Sequence, residues 1–198
     1  KIFFLYSSLT LLIFVLLAGS GVRLFNSLNL TMTLISAGGF LPSNSLNQII
    51  TNNTQEALLI FSFFLSMFNI YFLYNLFTIK NFVKEHYEDL SLSIISILLS
   101  LILFFSIKDM SFVSTFANIL SSLATSGITT SADVSKDFSL YLLFITILGG
   151  SMISNSSGIK FIRFYILLKS SFIEILKLVR PNNITNKYIL FSDKKIND

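Results

Sequence analysis

The chain has 198 residues, of which 53% are hydrophobic and only 12% charged, with a formal net charge of +4. Roughly a quarter of the residues in a soluble domain are charged, so this chain cannot cover a soluble surface and reads as a polytopic membrane protein. No cysteine and a single histidine, His86, exclude a disulfide framework, a thiolate metal site and a histidine-cluster metal centre; the positive charge tracks membrane-flanking positions and indicates no nucleic-acid partner.

Residues 3–19 form the first apolar run, and a bilayer is crossed by about 20 such residues, with about 17 sufficient. No small-residue cleavage site leads from this run into a soluble domain, so it reads as a span and not as a signal peptide. The run begins directly after Lys1, and the chain is expected to be a piece of a longer protein. Residues 24–40, LFNSLNLTMTLISAGGF, are too short and too polar to cross and end in small residues; a half-crossing is expected. The connector 41–55 has no Lys or Arg, and residues 57–77 form an uninterrupted second span. The next connector, KNFVKEHYEDL at 80–90, carries Lys80 and Lys84, with Glu85, His86, Glu88 and Asp89 expected on a solvated face.

A third span occupies 90–107, and a second half-crossing, FVSTFANILSSLATSGIT, occupies 112–129. The fourth apolar run, 138–168, is interrupted by LGGSMISNSSGIKFIR at 148–163. Glycines there weaken a helix by about 1 kcal/mol each relative to alanine, and the polar residues can satisfy freed backbone groups only against water or protein. The chain ends in a basic segment with Lys187, Lys194 and Lys195.

Superimposing Gly38 on Gly127, an offset of 89 (127 − 38), overlays the leading spans and pairs Leu34 with Leu123, Ser36 with Thr125 and Ala37 with Ser126. The expected fold is therefore all-α, with two parallel span–pore-helix–span repeats, the last span broken by an intramembrane loop. The units are 1–79 and 91–180, joined by a connector at 80–90 and followed by a segment at 181–198. Lys80, Lys84 and the basic C-terminal segment place the connector and the C-terminus in the cytoplasm by the positive-inside rule.

Non-helical backbone at membrane depth is tolerated where it is buried in protein or lines a wet cavity. Short helices ending at SAGGF and TSGIT aim the negative ends of their dipoles there, which favours a cation. Glycines let the turns present carbonyl oxygens, and such oxygens can replace the hydration shell of a potassium ion. The candidate filter is Ser36, Ala37, Gly38, Gly39, Thr125, Ser126, Gly127 and Ile128. The alternative for these turns is a glycine-bearing link between tilted helices.

LFNSLNLTMTLISAGGFLPSN resembles the second pore loop of the Trk/Ktr/HKT potassium-uptake superfamily, in particular bacterial TrkH-type subunits. LSSLATSGITTSAD is similar to the third pore loop, and LGGSMISNSSGIKFIRFYILLK followed by EILKLVRPN resembles the broken helix after it. Asn69 also stands where the family often has asparagine. The resemblance implies the second and third of four repeats around a pseudo-fourfold pore, with potassium or sometimes sodium as the transported ion and no cofactor in this chain. It implies a homodimer of pore subunits in a bacterial plasma (inner) membrane, in contact with lipid, and a cytoplasmic nucleotide-binding regulatory subunit. The family uses the broken segment as a gate beneath the filter, which assigns Gly149, Gly150, Asn155, Ser156, Ser157, Gly158 and Lys160 to that loop. Ser156 and Ser157 stand where glycines are common in the family, and Ile128 where an aromatic is usual. Lys160 reads either as an electrostatic barrier or as an anchor, and Arg163 as an anchor. A two-pore-unit potassium channel and a non-conducting membrane scaffold are the alternatives. The chain has no H-E-x-x-H, no G-x-S-x-G and no paired intramembrane carboxylates, so no enzyme is expected.

Overall fold

A computed structural model of the chain describes residues 2–43, 45–72, 75, 86–106, 111–130 and 136–179. Among the described residues the regular structure is helical. In chain order the helices are α1 (Ile2–Gly19), α2 (Leu24–Ser36), α3 (Asn53–Met67), α4 (Tyr87–Ser106), α5 (Phe112–Leu123), α6 (Lys136–Ile147) and α7 (Phe161–Val179), with a 3-10 turn at Leu46–Gln48. Lys80, Lys84, Lys187, Lys194 and Lys195, on which the expected orientation rests, lie outside the described residues, as do 80–85 of the connector and the segment 181–198.

The two longest apolar helices bury one stripe each. α1 turns Leu9, Ile13 and Leu17 inward and leaves Phe3, Phe4, Leu11 and Val15 exposed. α4 buries Leu92, Ser96, Ser100 and Leu103 while Ile94, Leu98, Ile102 and Phe105 face out. The three- and four-residue spacing of the buried sets is the repeat of one helix face. Outward faces this apolar suit lipid as solvent, and both helices are long enough to cross a bilayer.

α5 sits at the centre, packed against α3, α4 and α6. From Ala117 to Leu123 all its side chains are buried, polar ones included. Their hydrogen bonds are local: the Ser122 hydroxyl donates to the Asn118 carbonyl at 2.9 Å, and Asn118 Oδ1 accepts the Thr130 N–H at 2.9 Å. Many other serines do the same along their own helix, such as Ser96 to the Ser93 carbonyl and Ser100 to that of Ile97. That back-bonding lets hydroxyls sit in an apolar bundle at little cost. Gln55 joins the end of α1 to the start of α3: its Oε1 accepts the Thr51 and Asn52 N–H groups, and its Nε2 donates to the Ser20 carbonyl at 3.1 Å.

Two expectations are corrected here. The span predicted as uninterrupted over 57–77 is broken, because α3 stops at Met67 and Phe68 is extended (φ −80°, ψ 166°). Asn69 marks the break: its Oδ1 accepts the Tyr71 N–H at 3.0 Å, and its own N–H donates to Asp89 Oδ1 at 3.0 Å, so both donors leave the helical pattern. The second correction concerns the acidic connector. His86 and Asp89 are not on a solvated face but are 1% and 2% exposed and joined by a 2.7 Å hydrogen bond.

Candidate ion-binding turns and gate loop

α2 and α5 end in turns of one backbone design. Ala37 (φ 52°) closes α2 in the left-handed region, and Gly39 follows with φ 71°; after α5, Thr125 has φ 56° and Gly127 has φ 67°. In both turns a backbone N–H reaches back five residues at 3.0 Å, Gly38 to the Thr33 carbonyl and Ser126 to that of Ser121. The matching residues are 88 apart in each case (125 − 37 and 127 − 39), so Gly39, not Gly38, corresponds to Gly127. The offset of 89 is one residue too long. A non-glycine residue in the left-handed region costs about 1–2 kcal/mol, and a threonine there is unusual, so both turns hold strain that packing must offset.

The two turns touch. A Cβ placed on Gly39 would collide with the Ser126 carbonyl oxygen, so only glycine lets the first turn lie against the second. Ser126 is buried, and its hydroxyl pairs with the Ser121 hydroxyl at 2.9 Å. Among the described residues no three His, Asp or Glu side chains gather, so backbone carbonyls are the oxygen-rich groups at these turns.

The segment between α6 and α7 is non-helical from 148 to 160, somewhat longer than the glycine-bounded stretch 149–158. Its ends clasp: Gly149 N–H donates to the Ile159 carbonyl at 2.8 Å, and Ile159 N–H donates to that of Ile147 at 3.0 Å. Inside, the Ser156 hydroxyl accepts the Gly150 N–H at 2.7 Å and pairs with the Ser154 hydroxyl at 2.8 Å. Lys160 folds back over the loop, its Nζ donating to the Ser154 carbonyl (3.2 Å), the Ser154 hydroxyl (3.1 Å) and the Ser156 carbonyl. The ammonium therefore pins the loop. Glu88 and Lys160 also attract each other electrostatically.

The loop has two external attachments. Ser157 donates from both its N–H (2.8 Å) and its hydroxyl (2.9 Å) to Thr125 Oγ1, which ties the loop to the second turn. Met67 and Ile70, on either side of the break in α3, hold the other side: Ser151 N–H donates to the Met67 carbonyl, and Ile70 N–H donates to that of Ile153, both at 3.0 Å. A Cβ on Gly150 would collide with that same Met67 oxygen.

The residues singled out in the sequence thus divide. Gly39 and Ser126 meet, and Thr125 meets Ser157. Gly150, Ser154, Ser156 and Lys160 form the loop's interior, and Asn155 is half-buried within it. Ser36 directs its hydroxyl back to the Met32 carbonyl at 2.7 Å, Ile128 is buried, and the Thr125 hydroxyl is engaged with the loop and the Ala124 carbonyl. The sequence reading missed the break at Asn69 and the burial of Asp89. The single asparagine inside an apolar run was the available signal for the first, and the acidic pair opening an apolar span for the second.

The chain matches no protein-family model. Its helices superimpose on the crystal structure of the potassium transporter TrkH from Vibrio parahaemolyticus with a TM-score of 0.80, at 22% identity, over 92% of this chain and 42% of that one. The chain has the TrkH fold. It is also 28% identical, over 193 residues, to an uncharacterized cation transporter of Methanocaldococcus jannaschii, covering 92% of this chain and 38% of that protein. The chain therefore spans less than half the length of each. All-helical architecture in the TrkH manner is what the sequence predicted, and both similar proteins are transporters by name.

Proposed function

We propose that the chain is part of a channel-like pore that takes up potassium ions, contributing two of the turns that line its filter and the gate beneath it. In this reading the carbonyls of 36–39 and 125–128 replace part of the water shell of a dehydrating ion. The ends of α2 and α5 add the negative ends of their dipoles. The observation that carries the reading is the contact of two strained, glycine-bearing turns at Gly39 and Ser126, with the loop hydrogen-bonded to the second at Thr125. A backbone held twice in the left-handed region is costly for a mere link and useful for presenting carbonyls.

The names of both similar proteins support a cation as cargo. Their greater length supports a complete pore that includes further repeats. A plasma-membrane location, a cytoplasmic connector and C-terminus, pairing with a second pore subunit and a cytoplasmic nucleotide-binding regulator belong to the same proposal. The test is rescue of potassium-limited growth by the complete protein carrying Gly39→Ala, which adds a methyl where the Ser126 carbonyl lies. Loss of rescue with normal membrane levels is expected. Full rescue would overturn the assignment of the filter to these turns.

A further inference from the structure

We propose that Asp89 is a positioning residue for the intramembrane loop, acting by keeping α3 unwound where the loop is held. The backbone donors at the end of α3 leave their helical partners. Were the helix to continue, the N–H groups of Asn69, Ile70 and Tyr71 would donate to the carbonyls of Leu65, Ser66 and Met67, four residues back. The regular pattern runs to Phe68, whose N–H donates to the Phe64 carbonyl at 3.0 Å. The next three donors are all diverted. Asn69 N–H donates to Asp89 Oδ1 at 3.0 Å, Ile70 N–H to the Ile153 carbonyl at 3.0 Å, and Tyr71 N–H to the Asn69 side-chain oxygen at 3.0 Å. The Met67 carbonyl, released from Tyr71, accepts Ser151 N–H instead.

The loop is therefore held by the two groups that the unwinding frees, the Met67 carbonyl and the Ile70 N–H. Asp89 takes the first diverted donor and comes from another helix, α4. Its own position is fixed: it is buried, and Oδ2 accepts from His86 Nδ1 at 2.7 Å, while His86 Nε2 lies 3.1 Å from Asn75 Nδ2. A carboxylate oxygen only accepts, so Nδ1 carries the proton and Nε2 accepts from Asn75. Without the carboxylate, the partly buried Asn69 N–H regains a partner by rewinding α3. Rewinding recaptures the Met67 carbonyl and the Ile70 N–H, and the loop loses both attachments at once.

Only the flux consequence of this inference rests on the gate reading. The direct test is thiol labelling of Ile153→Cys, a half-exposed side chain on the held stretch, in the complete protein reconstituted in vesicles. Asp89→Ala is expected to raise the labelling rate about tenfold, as two backbone hydrogen bonds are lost together. Asp89→Asn, which keeps an acceptor for Asn69 N–H, is expected to restore the original rate. Equal rates in all three proteins would overturn the positioning role. Should Asp89→Ala fail to assemble, Asn69→Ala removes the Tyr71 acceptor and carries the same expectation. Rubidium flux then separates the two readings. Flux should rise in Asp89→Ala and rise no further when the loop is also shortened by deleting 152–155. Additive effects would overturn the positioning role. Faster labelling with unchanged flux in both variants would leave Asp89 in place and remove the gate.

Discussion

Replacing Gly150 by alanine should open the loop without touching the turns. The added methyl would land on the Met67 carbonyl oxygen and within 2.6 Å of the Ser156 hydroxyl and 2.9 Å of the Ser154 hydroxyl. These are the loop's own holding groups: Met67 accepts Ser151 N–H, and Ser156 accepts Gly150 N–H. Relief requires the loop to move away from α3. Overpacking of this kind costs about 1–3 kcal/mol, and each hydrogen bond given up adds about 1 kcal/mol. With both bonds given up the central value is about 4 kcal/mol, felt only while the loop is docked, which corresponds to a shift of roughly 1,000-fold towards the undocked state. Rubidium uptake into vesicles containing the complete protein reads this shift as increased basal flux, and competition by sodium reads selectivity in the same preparation. Higher flux with unchanged selectivity is expected. A correctly assembled Gly150→Ala protein with the original flux would refute the placement of the loop as a barrier.

Substitutions at two further positions probe its attachments. Thr125→Val keeps a β-branched residue at φ 56° but removes the acceptor for both Ser157 donors; flux should rise about tenfold, whereas Thr125→Ser, which retains the hydroxyl, should match the original protein in the same vesicle assay. Lys160→Met removes the ammonium that bridges Ser154 and Ser156, and the loop should become sensitive to limited proteolysis while the melting temperature of the bundle changes little.

Much of the helical plan was legible because lipid imposes a length on apolar runs, and 3–19 and 90–107 fall close to α1 and α4. The interruption at 148–160 was legible for a related reason, since three glycines and a cluster of serines have no place in the middle of a span. Asn69 was the one local sign of the break after Met67, because the Asn69 N–H goes to Asp89, 20 residues further along, a partner that a local reading does not see. The register of the turns failed by one residue for a simple reason. Gly38 and Gly39 are adjacent, and only the backbone shows that the second has positive φ and lies under the Ser126 carbonyl. Composition treats Asp89 and His86 as water-seeking, but a mutual hydrogen bond together with one to a backbone amide lets both be buried.

The most direct measurement is the position of bound ions in crystals of the complete protein grown in rubidium, located by anomalous scattering. Density between the carbonyls of the Gly39 and Gly127 turns, weakened by Gly39→Ala, is the expected result. Rubidium bound elsewhere, with these two turns dry and closed on each other, would contradict their role as an ion filter.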